Sequence, residues 1–437
     1  MRIGSRKLAV IALIVFVSLG AVYAQKVWEL YGRVNGAVGD EIISMHLSGG
    51  ELWVATTWAD PDSEDAPLEG GASLFNAETG NFTTYTPEQG LAHVKIWVML
   101  IDGNLAYFGT PRGVSILDTS KLPDLGPFEV NQAFTTLTKV QGLIEDDVRS
   151  IAKDGDTMWF GTNDGMSAYD TKTEEFTNYG SDNLPGKTVH SLRVDGSTIW
   201  IGTSSGLGSY DKDSGQFDRI PLPVEGQGKD VVHCIDVDGD EVWIGTRIGI
   251  HVYTKSTGEF TTYGDEVLPN TWVNDIVIDD DQVWVATQQG GAAILNRDKN
   301  KWKILDEKKG LASNDVREIE PAGEITWFGT LGGLNKYYPA AAAKQAQKYI
   351  LYGVLVIAAI AAVVVAKLTI FKPSQEEIER KKRDKEARAK RKERKKTGTP
   401  SWKICNGVPR TDLCSRCKYN AVKSGKLHCS KYDIDLE

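Results

Sequence analysis

Residues 189–220 read VHSLRVDGSTIWIGTSSGLGSYDKDSGQFDRI. Val189–Val194 alternates in polarity, as a half-buried strand does. Asp195-Gly196 follows, a pair that tolerates the positive φ of a tight hairpin turn. Trp200-Ile-Gly-Thr203 marks a second strand. A turn at Ser205-Gly206 leads to a third, Leu207–Tyr210, and Lys212-Asp-Ser-Gly215 leads to a fourth, Phe217–Ile220. The stretch therefore reads as four short strands joined by tight turns.

The Trp motif recurs. Its other copies are Trp53-Val-Ala-Thr56, Tyr107-Phe-Gly-Thr110, Trp159-Phe-Gly-Thr162, Trp243-Ile-Gly-Thr246, Trp284-Val-Ala-Thr287 and Trp327-Phe-Gly-Thr330. Successive spacings are 54, 52, 41, 43, 41 and 43 residues. A period near 42 with four strands per unit is the signature of a β-propeller. Fourth strands stand at Phe82–Tyr85, Phe134–Leu137, Phe176–Tyr179, Phe217–Ile220, Phe260–Tyr263 and Trp302–Leu305. The seventh unit stops after its third strand, at Lys336-Tyr337-Tyr338, and the missing strand stands at the other end as Trp28-Glu-Leu-Tyr31. The expectation is an all-β, seven-bladed propeller over residues 25–338, closed by its N-terminal strand, because closure removes exposed sheet edges.

Trp200-Ile-Gly-Thr203, Gly206-Leu207, Tyr210-Asp211 and Ser214-Gly-Gln-Phe217 resemble the repeat of the two-component-regulator propeller family. The resemblance covers roughly residues 26–338. It implies the extracytoplasmic sensor half of a membrane-bound signalling protein, often a histidine kinase. The chain beyond the propeller is too short for a kinase domain, so the resemblance implies sensing or binding and not phosphotransfer.

The chain has 437 residues and a formal net charge of -9; 41% of residues are hydrophobic and 25% charged, the balance of a globular protein. The charge is uneven. Residues 372–437 carry net +10, which leaves net -19 for residues 1–371. An acidic body argues against nucleic-acid binding, and no nucleic-acid partner is expected.

Arg2, Arg6 and Lys7 precede an apolar run, with Val22 and Ala24 before a possible cut, so residues 1–24 read as a signal peptide. An uncleaved anchor is the alternative; both place the propeller outside the cell. Residues 339–348 read as a linker and 349–371 as one transmembrane helix, followed at once by a basic segment, 372–400. Basic flanks stay inside, so the C-terminus is expected in the cytoplasm of a single-pass membrane protein.

Ten residues before each motif aromatic lies the entrance to the innermost strand. Those positions hold Ile43, Trp97, Arg149, His190, His233, Asn274 and Arg317. All should ring the mouth of the central channel on the top face, the face away from the membrane. The polar and aromatic members suit a small anionic ligand or a protein partner's carboxylate, although any solvated strand entrance also tolerates polar residues. The acidic insert Trp58–Gly71 should overhang the same face, and the insert Lys121–Gln132 the opposite one.

The tail holds Cys405, Cys414, Cys417 and Cys429 within residues 401–437. The spacing C-x8-C-x2-C-x11-C in a reducing compartment suits zinc, or an iron–sulfur centre, although redox-active or free thiols remain open. No cofactor is expected for the propeller. HExxH and phosphate-binding-loop motifs are absent and no enzyme activity is expected, a propeller enzyme being the least favoured alternative. The function read from sequence is a membrane-anchored, extracytoplasmic ligand- or protein-binding sensor that signals to a cytoplasmic partner. An envelope scaffold is the alternative reading.

Overall fold

In the computed structural model the described residues are 27–339 except 38, 59–68, 225, 227 and 229, then 355, 357 and 360, the helix Gln375–Lys396, and the strands Asn420–Lys423, Lys426–Cys429 and Ile434–Leu436. They fall into two units, residues 1–348 and 349–437.

The first unit is a ring of seven four-stranded antiparallel sheets. Blade four, the stretch quoted first, holds Val189–Asp195, Thr198–Thr203, Gly206–Asp211 and Gln216–Ile220. Blade seven takes Val316–Ala322, Ile325–Thr330 and Gly333–Tyr337 from the end of the array and Trp28–Tyr31 from its beginning. Trp28 pairs with Tyr337 and Tyr31 with Leu334. The expected closure is therefore present. The innermost strands touch in one unbroken cycle, blade one meeting both blade two and blade seven.

Each motif residue serves the seam between blades. The aromatic reaches into the following blade: Trp53 lies 5.8 Å from Phe108, Trp200 6.0 Å from Tyr253, and Trp327 5.3 Å from Phe75. Glycine is needed because the next innermost strand presses against it. A Cβ at Gly202 would lie 2.6 Å from Val232 Cγ1, and one at Gly329 2.7 Å from Ile42 Cγ2. The threonine fastens the following turn. Thr203 Oγ1 donates to the Gly206 carbonyl at 2.8 Å, and Thr110, Thr162, Thr246, Thr287 and Thr330 repeat the bond. Blade one departs from this, because its second and third strands run on to Trp58 and back from Glu69, and Thr56 Oγ1 has no partner among the described residues.

Strand alternation gives the ring two faces. On the top, the turn between strands two and three in blades three, four, six and seven bonds to the connection entering its own blade, as in Asn163 N to Asp147 O at 3.0 Å and Gln288 N to Trp272 O at 2.9 Å. On the bottom, turns between strands three and four bond to turns between strands one and two, as in Lys212 N to Ser197 O at 2.9 Å. Neighbouring blades are paired there by charge: Lys153 with Asp102, Lys212 with Asp154, Lys255 with Asp195 and Arg297 with Asp238. Part-exposed pairs of this kind contribute about 0–1 kcal/mol each, so they fix blade register more than they stabilise. Tyr338 N bonds to Val27 O at 3.0 Å, so the chain enters and leaves the ring on this bottom face. The insert after blade two's third strand forms two short 3₁₀ turns, Thr119–Asp124 and Val130–Ala133, on the same bottom side.

In the second unit Gln375–Lys396 is one charged helix, with Glu379 and Arg383 paired at 3.5 Å. No described helix is long and apolar enough to cross a membrane. The expected span 349–371 lies outside the described residues except for three helical positions, Leu355, Ile357 and Ile360. The expected signal peptide, residues 59–68 of the blade-one insert, and Cys405, Cys414 and Cys417 also lie outside them. Cys429 ends the middle strand of the three-stranded sheet formed by Asn420–Lys423, Lys426–Cys429 and Ile434–Leu436.

Candidate functional site

The ring positions picked out by sequence share one backbone feature. In six blades the ladder between the first two strands skips a residue, and the skipped residues are Ile43, Arg149, His190, His233, Asn274 and Arg317. A bulge inserts one residue out of alternation and re-aims its side chain. In blade two the equivalent Trp97 precedes the strand and bonds through its N–H to Gly109 O at 2.8 Å. Several of these side chains then meet the next blade. Arg149 Cζ lies 4.1 Å from the Trp97 ring, the His190 and His233 rings are 5.9 Å apart, and Asn274 Nδ2 donates to Val316 O at 2.7 Å.

The ring is not uniform. Asn274 is spent on Val316, and Arg317 is held 2.9 Å from Asp315, an ion pair whose angle falls short of a hydrogen bond. Ile43 is apolar. What remains is an arc over blades two to six. At one end Trp97 is sandwiched between Lys95 Nζ, at 3.9 Å, and Arg149. Asp147 braces this end, accepting from Trp97 Nε1 at 2.9 Å, from Arg149 Nε and from its terminal nitrogen at 2.8 Å each, and from Asn163. At the other end Arg247, in the top turn of blade five, sits 4.4 Å from the Trp272 ring, and Trp272 stacks on His233 at 5.7 Å. Burial first, then the nearby guanidinium groups of Arg149 and Arg247, lowers His190 to about 4. His233 falls to about 4 through burial, His190 and Arg247. Both imidazoles are therefore neutral at pH 7, and His233 Nε2 is buried with no partner among the described residues.

Below the mouth, side chains on the innermost strands of blades five to seven satisfy the next blade's inner edge. Asp236 accepts from Ile278 N at 2.8 Å, Asp275 from Ile319 N at 3.0 Å, and Glu318 from Met45 N. Arg193 faces Asp236 at 3.1 Å. Burial and then the Asp236 charge push Asp275 up, burial with the Asp275 and Glu320 charges pushes Glu318 up, and burial with the Asp275 charge carries Glu320 to about 8. Part of each carboxylate still faces the channel, so water tempers these shifts.

No protein-family model matches the chain, nor does any curated protein. Among solved structures it is similar to the extracellular domain of BT3049 of B. thetaiotaomicron, named as a hybrid two-component system. That match has a TM-score of 0.58 and 22% identity, over 72% of this chain and 42% of that one. The extracellular domain of BT4673 of the same organism, named as a one-component system, matches at 0.56 and 20% identity, over 71% and 40%. PorZ of Porphyromonas gingivalis, named as a surface component of the type-IX secretion system, matches at 0.53 and 17%, over 70% and 47%. The chain spans less than half the length of each. At these identities the likeness establishes the fold: a propeller resembling the extracellular domains of two-component systems, as the repeats indicated.

Sequence reading missed Lys95, Asp147, Arg247 and Trp272. Asp147 carried a signal, since Asp-Val-Arg at 147–149 recurs at 315–317 and places a carboxylate beside each bulged arginine. Arg247 carried none, because the residue after the motif threonine differs in every blade. Among the described residues no group of three or more metal-ligating side chains gathers. The expected ligand set of Cys405, Cys414, Cys417 and Cys429 falls outside what that observation covers.

Proposed function

We propose that the chain is a membrane-anchored, extracytoplasmic propeller that binds an anionic ligand at the top-face throat and signals to a cytoplasmic partner. The observation that carries this reading is the arc Lys95–Trp97–Arg149–His190–His233–Trp272–Arg247, in which Arg247 meets no carboxylate among the described residues. Guanidinium groups on aromatic faces, at the mouth of a ring, suit a small anion or a partner's carboxylate. The fold shared with extracellular domains of two-component systems supports sensing. The apolar run 349–371 with its basic flank supports the single span, and residues 1–24 support export.

A thermal-shift screen of the full chain against carboxylates, phosphates and sulfates tests the site. A ligand present at a hundredfold excess over its Kd stabilises by about 2.7 kcal/mol. The expected result is such a shift, abolished by Arg247→Ala. No shift with any anion, together with co-purifying proteins, selects the scaffold reading instead, for which the likeness to PorZ is the supporting observation.

Cys405, Cys414, Cys417 and Cys429 complete the reading as a zinc site, or an iron–sulfur centre, in the cytoplasmic tail. Four thiolates within one short segment support it, since such a segment folds around its metal. Metal analysis of the purified full chain should give about one zinc per chain, or iron with sulfide, reduced in Cys414→Ser. A metal-free wild-type chain removes the knuckle.

A further inference from the structure

The throat holds a second device besides its fixed cations. His190 and His233 come from adjacent blades, at matching bulges, and their rings lie 5.9 Å apart. Every strongly charged group packed against the pair is positive or already neutralised. Arg149 approaches from blade three, where Asp147 holds one edge of its guanidinium through two hydrogen bonds. Lys95 and Trp97 lie beyond it in blade two. Arg247 rises from the top turn of blade five and Trp272 covers His233 from blade six. The remaining ionisable neighbours are Cys234, a buried thiol that burial keeps protonated, and Asp275, which is turned to Ile319 N. No free carboxylate faces either imidazole, and His233 Nε2 has no partner among the described residues.

We propose that an oxyanion in this throat is bound together with a proton, the His190–His233 pair becoming charged as the anion enters. This rests on the anion-binding reading above and adds its regulation. Before an anion binds, the charged groups nearest a proton on either ring are the cations Arg149 and Arg247. An oxyanion beside the rings and Arg247 supplies the missing negative charge. The proton comes from solvent and is retained by the imidazole, so no bond to the ligand forms or breaks. The lowered imidazoles, near pH 4 when empty, rise toward their ordinary value when filled. Binding is therefore tighter in acid. For one ring rising by about two units, affinity increases roughly tenfold between pH 7 and pH 5.

Isothermal titration of the full chain with sulfate tests this, because sulfate keeps its charge over that range. Titrations in two buffers of different ionisation enthalpy count the protons taken up. The expected outcome is a Kd that falls roughly tenfold from pH 7 to pH 5, with uptake approaching about one proton per sulfate at pH 5. The double variant His190→Gln, His233→Gln should bind sulfate with no pH dependence. The proton count on the wild-type chain decides the matter even where that variant does not fold. A peptide ending in a free carboxylate, run beside its amide, separates the sources: tighter peptide binding with the same proton uptake assigns the anion to a partner. Sulfate binding with equal Kd and no proton uptake at both pH values overturns the coupling and leaves the anion site standing. No binding of sulfate or peptide at any pH overturns both.

Discussion

At the scale of single residues, the seam between blades is set by what is absent from a side chain. Gly202 is glycine because Val232 of blade five lies where its Cβ would be. Ala55 and Ala286 hold the same place in blades one and six, so the demand comes from the neighbour and not from the turn. Gly202→Ala should destabilise the chain by about 1–3 kcal/mol through overpacking, read as a lower midpoint in urea with an unchanged slope. A midpoint equal to wild type would show that Val232 can move aside. The throat obeys the same local rule with the opposite sign: a bulge adds a residue where the ladder has none. Bulges are invisible to a period count, yet the fixed offset of ten residues from each motif aromatic falls on all six bulged residues, and on Trp97 just before the unbulged strand of blade two. Arg247 lies on a turn whose residue differs in every blade, so spacing held no information about it, whereas Trp272 stands two residues before Asn274, the offset that holds Asp147 and Asp315 in blades three and seven.

At the scale of elements, the fourth strands were legible to within one residue, because an aromatic opens each and a polar turn precedes it. The splitting of blade seven was legible for the same reason: three strands at one end need a fourth, and only Trp28–Tyr31 has the pattern. What could not be read was how each inner edge is satisfied. Asp236, Asp275 and Glu318 look like ordinary strand polar residues, and their role appears only when the next blade's N–H groups lie beside them. The closing strand gives the sharpest test at this scale. Trp28 packs 4.5 Å from Tyr337 and 5.7 Å from Phe328, although part of it stays exposed. Trp28→Ala should therefore cost about 2–3 kcal/mol, less than a fully buried Trp. Hydrogen exchange should report the loss first in Gly333–Tyr337, the strand it pairs with. Uniform loss across all seven blades would mean that the ring opens as one unit and that the seam is not its weakest point.

At the scale of the whole molecule, the ring carries two sets of displaced acids and bases that pull stability in opposite directions with pH. His190 and His233 are lowered in the folded chain, so unfolding takes up protons and stability rises as pH climbs from about 4 to about 6.5. Glu318 and Glu320 are raised, so the folded chain holds protons that the unfolded chain releases. Their contribution is complete in acid and is lost as pH rises through the folded value, about 8 for Glu320. The two effects oppose each other below about pH 6.5. Above it the histidine effect fades over about one further pH unit and the carboxylates dominate. Stability should then fall between about pH 6.5 and 8.5, by no more than about 2 kcal/mol for Glu320, since channel water moderates its burial. Melting temperature across that interval measures the fall. Glu320→Gln keeps the shape and removes the proton, so its melting temperature should decline less than that of wild type over this interval. A wild type that is flat, or that gains stability toward pH 8.5, would mean that Glu320 is ionised in the folded ring and that Arg193 and channel water outweigh its burial.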